Sequence, residues 1–278
     1  MITHNGKQVT LAMRNRKAIN LIARNGKAMF GEYAQWLHGI DAAARAVILA
    51  EYGKQVWSDV RDYAKAHPQI VEFINQDPHL AASISTNSNK ERWLVTDGFA
   101  CIQTKTILNG YSNITSICMV PKNLAGNQTL WCARETTNSN TYTAFLLGAS
   151  IRSDYGSGQT ATGRDMPREQ STELRTYESD FYLNGERLVD RSVLSFSTTN
   201  GVSLFASYST AGAAPYTNVQ SGFKQGIFKV EQGEDLVLHL IPHLTADGQC
   251  GMLDLVTYTF HPNANTTGQF TIAITDKE

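Results

Sequence analysis

Phe181-Tyr182-Leu183-Asn184-Gly185-Glu186-Arg187-Leu188 decides the fold. Asn-Gly takes the positive φ angles of a type I′ turn, the tightest reversal of a strand. Alternating side chains flank it on both sides, so the stretch predicts a β-hairpin with its tip at Asn184-Gly185. Further turn signals recur every 8–15 residues or so along the chain after Trp93. They are Asn109-Gly110, Gly126-Asn127, Asn138-Ser139, Asp154-Tyr155-Gly156-Ser157-Gly158, Asn200-Gly201, Gly233 and Asp247-Gly248. Short apolar-alternating runs lie between them, and no stretch beyond Trp93 has helical periodicity. This spacing predicts an all-β sandwich over residues 93–278, a size suited to a two-sheet jelly roll.

The chain before Trp93 reads differently. Asn5-Gly6-Lys7, Asn15-Arg16-Lys17 and Asn25-Gly26-Lys27 recur at a period of ten. Val9, Leu11 and Met13 alternate with polar residues between these turns, as do Ile19 and Leu21, so a small β-meander is expected over residues 1–30. So few strands bury too little surface alone, which points to assembly. Residues 31–79 read as helical. Asp41 can cap a run that ends at His67-Pro68. Leu49, Tyr52, Val56, Val60 and Tyr63 make one apolar stripe, and a shorter helix is expected over residues 69–76. Two uses of the stripe are open: packing on the same chain, or self-association as a stalk. Residues 80–92 read as a polar linker.

The chain of 278 residues has a formal net charge of −1, and charged residues make up 18% of it, below the roughly 25% of an average domain. That balance excludes a protein that coats nucleic acid through bulk positive charge. The 42% hydrophobic content excludes wholesale disorder. No run of about 18 apolar residues is present, so no membrane insertion is expected. The near-neutral total divides unevenly. Residues 1–30 carry Lys7, Arg14, Arg16, Lys17, Arg24 and Lys27 and no acid, a charge of +6 that leaves −7 on the remainder. Such a basic segment suits docking on an acidic protein surface, or serves as a strand edge protected by charge.

Cys101, Cys118, Cys132 and Cys250 have no paired spacing, so free and mostly buried thiols are expected, as in a reducing cytoplasm. No secretion signal is read at the N-terminus. His239 and His243 would share a strand face about 13 Å apart at ~3.3 Å per residue, too far for one ion. No metal and no cofactor are expected. A glycan hydrolase needs two carboxylates on one face. Glu173, Glu178 and Asp180 come nearest, but the odd spacing of 173 and 178 separates them, so no enzyme is expected. Binding is the remaining chemistry. Sugar sites pair an aromatic face with Asp, Asn or Arg for the hydroxyls. Arg152, Asp154 and Tyr155 offer this in a stretch read as a loop, with Gly156-Ser157-Gly158 as its flexible part. Tyr216 and Asn218 form a second candidate.

The C-terminal stretch carries a family resemblance. Ile241-Pro242, Gly248, Gly251, Leu253-Asp254-Leu255, Phe260, Asn263, Gly268 and Phe270 stand in order. This pattern resembles the last strands of laminin-G-like, concanavalin A-type jelly rolls in virion proteins of tailed bacteriophages from gut bacteria. Phe181-Tyr182-Leu183-Asn184-Gly185 and Gly226-Ile227-Phe228-Lys229-Val230 are similar to a hairpin and a strand of the same domains. In physical terms Pro242 is expected to end a strand, Asp254 to accept turn N–H groups, and Phe270 to plug the core. With the N-terminal β-meander and α-helical segment read above, the chain is expected to be mainly β; the resemblance spans about residues 93–274 and implies a concanavalin A-like β-sandwich there. It further implies a structural virion protein of head- or tail-fibre or decoration type, assembled in the host cytoplasm. In that reading the protein is a homo-oligomer, a trimer before a dimer. Arg14, Arg16, Lys17, Arg24 and Lys27 dock it onto capsid or tail proteins, and the jelly roll faces host-surface polysaccharide. The alternative is a glycan-cleaving enzyme on a concanavalin-type fold.

Overall fold

The computed structural model describes residues 90–134, 140–208, 215–217, 219–245, 248–257 and 259–276, with six short strands near the N-terminus. The chain divides into two units, Met1–Ser88 and Asn89–Glu278.

In the first unit β1 (Thr3–His4) pairs with β2 (Lys7–Gln8), β3 (Met13–Arg14) with β4 (Lys17–Ala18), and β5 (Ile22–Arg24) with β6 (Lys27–Phe30). His4 stands opposite Lys7, Arg14 opposite Lys17, and Arg24 opposite Lys27. Two residues intervene each time, in keeping with the Asn-Gly and Asn-Arg signals of the ten-residue repeat. Three two-stranded hairpins are described, and the residues that would join them into the expected meander, 9–12 and 19–21, lie outside the described residues. Each has Lys or Arg beside its reversal, and such charges oppose edge-to-edge pairing. The expected helices of residues 31–79 lie outside the described residues, as does the linker up to residue 89.

The second unit is a β-sandwich. Its strands are β7 (Lys90–Thr96), β8 (Ile102–Gln103), β9 (Ser112–Met119), β10 (Asn127–Arg134), β11 (Thr141–Leu147), β12 (Ser150–Gly156), β13 (Gly158–Asp165), β14 (Thr172–Tyr177), β15 (Asp180–Leu183) and β16 (Glu186–Val189). There follow β17 (Ser203–Leu204), β18 (Ala206–Tyr208), β19 (Pro215–Thr217), β20 (Lys224–Gln232), β21 (Asp235–Leu244), β22 (Cys250–Asp254), β23 (Thr259–His261) and β24 (Phe270–Asp276). β7 takes in Lys90–Arg92, which the sequence assigns to the linker. One sheet has the order β13-β12-β11-β10-β17-β8. The other runs β16-β15-β14-β9-β20-β21-β22-β23, with β7 on the first residues of β20 and β24 beyond it. β18 and β19 form a separate two-stranded ribbon. All of these pairings are antiparallel.

The pleat explains the core. β9 buries Ser112, Ile114, Ser116 and Cys118 and turns the residues between them outward, and β14 buries Thr172, Leu174 and Thr176 in the same way. Trp131 on β10 meets Phe228 on β20 at 5.9 Å and Phe181 on β15 at 6.3 Å, so aromatic rings join the two sheets. Tyr142, Tyr155 and Phe196 form a second cluster with ring centroids 5.0–6.1 Å apart. Phe270 is buried against Phe205 at 5.8 Å, the core plug expected of it. Cys101, Cys118 and Cys132 are buried free thiols and Cys250 is half-buried.

The Asn184-Gly185 hairpin forms as predicted, between β15 and β16, with φ of +48° and +81°. Asn184 also accepts a hydrogen bond from the Glu173 N–H at 2.8 Å, which ties the tip to β14. Pro242 does not end its strand: β21 continues to Leu244. Beyond Leu240 that strand pairs with β22 alone, so a residue without an N–H is tolerated there.

Candidate functional site

Arg152, Asp154 and Tyr155 lie on a strand rather than a loop, and only the residues around Ser157 make the turn to β13. The pleat therefore separates them. Arg152 and Asp154 point to the outer face of the six-stranded sheet. Tyr155 points into the core, where it is 2% exposed. Its hydroxyl donates to the Gly110 carbonyl at 2.6 Å and accepts from the Leu194 N–H at 3.0 Å. Tyr155 is thus corrected from a candidate sugar-stacking ring to a core residue.

The register builds rows across that outer face. Cys132 stands opposite Thr143, Thr143 opposite Asp154, and Asp154 opposite Gln159. In the next row Thr129, Phe145 and Arg152 are neighbours. Directly opposed residues have Cβ atoms about 5 Å apart. These rows line a groove of about 330 Å³, with Arg134 and Leu147 at its ends. One wall is held by the Thr129 and Ser207 hydroxyls, 2.6 Å apart.

Polar donors are concentrated in this groove. The Arg152 Nε donates to Asp154 Oδ1 at 3.0 Å, and its guanidinium lies 5.0 Å from the Phe145 ring centroid. The Arg134 Nε and the Thr143 Oγ1 are buried with no hydrogen-bond partner. Burial pushes the Asp154 carboxyl above its ordinary range, against the pull of the Arg152, Arg134 and Arg191 guanidiniums. Arg191 stands behind the sheet, donating to Ser153 Oγ at 2.8 Å.

Tyr216 is on β19 with its Cα opposite that of Ser207. Its side chain and the whole of Asn218 lie outside the described residues. Arg14, Lys17, Arg24 and Lys27 stand next to the hairpin reversals, and Arg16 lies outside the described residues.

His239 and His243 are both buried on β21, and the His243 ring packs 5.7 Å from Phe260. Among the described residues no cluster of three or more His, Cys, Asp or Glu has metal-binding geometry. Asp180 accepts from the Arg191 N–H at 2.9 Å and from Arg187 at 3.1 Å. Burial works upward on its carboxyl, but these bonds hold it below its usual range. Glu178 sits in the turn before it with φ of +50°.

A larger groove of about 590 Å³ runs between Gln103–Thr106 and Asp254–His261. Its carboxylate is engaged: Asp254 accepts from His239 N–H, Val256 N–H and the Thr257 hydroxyl at 3.0, 3.0 and 2.5 Å. That is the turn-holding role the sequence assigns to it. Thr143, Phe145, Gln159 and Arg134 were not legible as site residues, because only cross-strand register brings them to Arg152 and Asp154.

Fold and groove together define a two-sheet antiparallel β-sandwich with an open, arginine-containing groove on one outer face. No protein-family model and no curated protein matches the sequence. Two solved structures are similar. A candidate carbohydrate-binding protein from Bacteroides ovatus is 10% identical, with 68% of this chain and 61% of that chain covered and a TM-score of 0.46. The chain thus spans about three fifths of the length of that protein. The native heptameric SAP-like pentraxin from Limulus polyphemus is 8% identical, with 68% of this chain and 96% of that one covered and a TM-score of 0.41.

Proposed function

We propose that the sandwich binds glycans, without cleaving them, in the groove on the outer face of its six-stranded sheet. The observation that carries this reading is the row of Thr143, Asp154 and Gln159 beside Arg134, Arg152 and Phe145. It combines donors, acceptors and apolar surface in one open cleft, as hydroxyl-rich ligands require. A buried Thr143 hydroxyl without a protein partner is costly unless a ligand completes it. Hydrolysis would need a second carboxylate across the bond, and among the described residues Asp154 is the one acidic side chain lining this groove.

The wider role we propose is that of a structural phage virion protein, supported by the C-terminal motif resemblance alone. Its basic N-terminal segment docks on other virion proteins and assembles the chain into a homo-oligomer, trimeric before dimeric. Labelling purified virions with an antibody to this chain tests that role, and absence from the particle rejects it.

The binding reading is tested by screening the full-length protein on a glycan array. Specific binding that is lost in Thr143→Val and weakened in Gln159→Ala supports it. Release of oligosaccharides from host capsular polysaccharide would instead support the enzyme.

A further inference from the structure

We propose that the groove selects anionic sugars, those that present a singly charged oxyanion such as a uronate carboxylate or a sulfate ester. This rests on the glycan-binding reading and adds the class of sugar.

Two guanidiniums, Arg134 and Arg152, line the cleft with one carboxylate, Asp154. Asp154 takes up only part of their donor capacity. Arg152 gives it the Nε, and among the described residues neither Nη group of Arg152 makes a hydrogen bond. Among the described residues the Arg134 guanidinium makes no hydrogen bond, although its Nε is buried. The Arg134 backbone is fixed separately, its carbonyl accepting from Asn200 Nδ2 at 2.7 Å. The third arginine near Asp154, Arg191, is offset by Asp180, which accepts its backbone N–H and attracts its charge. Among the described residues the cleft therefore keeps one unit of positive charge and several unused guanidinium N–H groups. Guanidinium forks bind carboxylates and tetrahedral oxyanions with two parallel hydrogen bonds, and they do so more strongly where water is partly excluded.

Phe145 bears on the choice between charged and neutral sugars. Its ring is covered by the Arg152 guanidinium at 5.0 Å, so the cleft offers a supported cation where a neutral-sugar site would offer a bare aromatic face. The partnerless Thr143 hydroxyl, 94% buried, is one row from Arg152 and supplies the adjoining contact to a ring hydroxyl.

The test uses the full-length protein and an array of oligosaccharides in matched forms: uronate-bearing, the same chains carboxyl-reduced, and neutral chains carrying a sulfate ester. The hits are then titrated at low and high salt. The expected result is that at least one acidic form binds about tenfold or more tighter than its neutral counterpart. High salt should weaken that preference, and Arg134→Gln should abolish it. The two acidic arms show whether the oxyanion is a carboxylate or a sulfate. Arg134→Gln removes no protein hydrogen bond, so an unchanged melting temperature confirms that it folds. Equal binding of acidic and neutral chains, lost in Thr143→Val, would overturn the anion selectivity and leave the groove as the glycan site. Binding that survives Arg134→Gln and Thr143→Val together, or no binding on any arm, would overturn both.

Discussion

Asp154 and Tyr155 are neighbours in the chain, and the pleat sends one to the groove and the other to the core. The sequence Ile151-Arg152-Ser153-Asp154-Tyr155 already alternates, with Ile151, Ser153 and Tyr155 on the buried side. The two glycines that follow made the whole stretch read as a loop, although they serve only the turn. Tyr155→Phe should therefore leave glycan binding intact and lower stability by about 1–3 kcal/mol, because Gly110 and Leu194 lose their partner. Chemical denaturation checks this. Thr143→Val should behave in the opposite way, with stability unchanged or higher and binding lost, since it removes a buried hydroxyl that no protein group satisfies. His239 adds a pH effect. Burial, with Lys229 opposite it, pulls its pKa from 6.5 to about 3. Between those values the unfolded chain binds a proton that the folded chain does not, so stability falls as pH drops below about 6.5. One such group contributes at most about 1.4 kcal/mol per pH unit. Denaturant midpoints at neutral and mildly acidic pH should show a smaller acid loss in His239→Gln than in the native chain.

Among the elements, the hairpins were the most legible part of the fold, because turn chemistry is local. Asn184-Gly185 fixes its own φ angles whatever surrounds it, and the N-terminal repeat likewise marks three hairpins. What local chemistry does not specify is which distant strands pair: β9 lies between β14 and β20, far from both in sequence. The groove has the same character. Arg152 and Asp154 were readable as candidates, but Thr143 and Gln159 join them only through the β10-β11-β12-β13 register, in strands whose outer faces carry Thr and Phe as readily as charge. Two glycines separate turn strain from packing. Gly185 has φ of +81° and open space around it, and Gly185→Ala should cost about 1 kcal/mol. Gly268 has φ of +87°, and a Cβ there would stand 2.5 Å from the backbone of Phe99 and Ala100. Gly268→Ala should cost about 2 kcal/mol or more, because it adds a backbone clash to the strain. Thermal melts of the two variants should rank in that order.

For the whole molecule, charge is uneven along the chain: residues 1–30, with their small hairpins, carry +6, and the remainder, which includes the sandwich with its own core, carries −7. Three two-stranded hairpins bury little surface, so the assembly proposed for the N-terminal segment predicts that the full-length chain sediments as a trimer, or failing that a dimer, at micromolar concentration. A monomer would contradict it. The central claim, however, is that the outer face of the six-stranded sheet is a glycan site. The most direct measurement is an NMR titration of the full-length protein with the tightest oligosaccharide from the array. The account predicts shifts concentrated on Arg134, Thr143, Phe145, Arg152 and Gln159, with Tyr155 and the Gln103–His261 groove unaffected. Shifts confined to that second groove, or to the ten-stranded sheet, would contradict it.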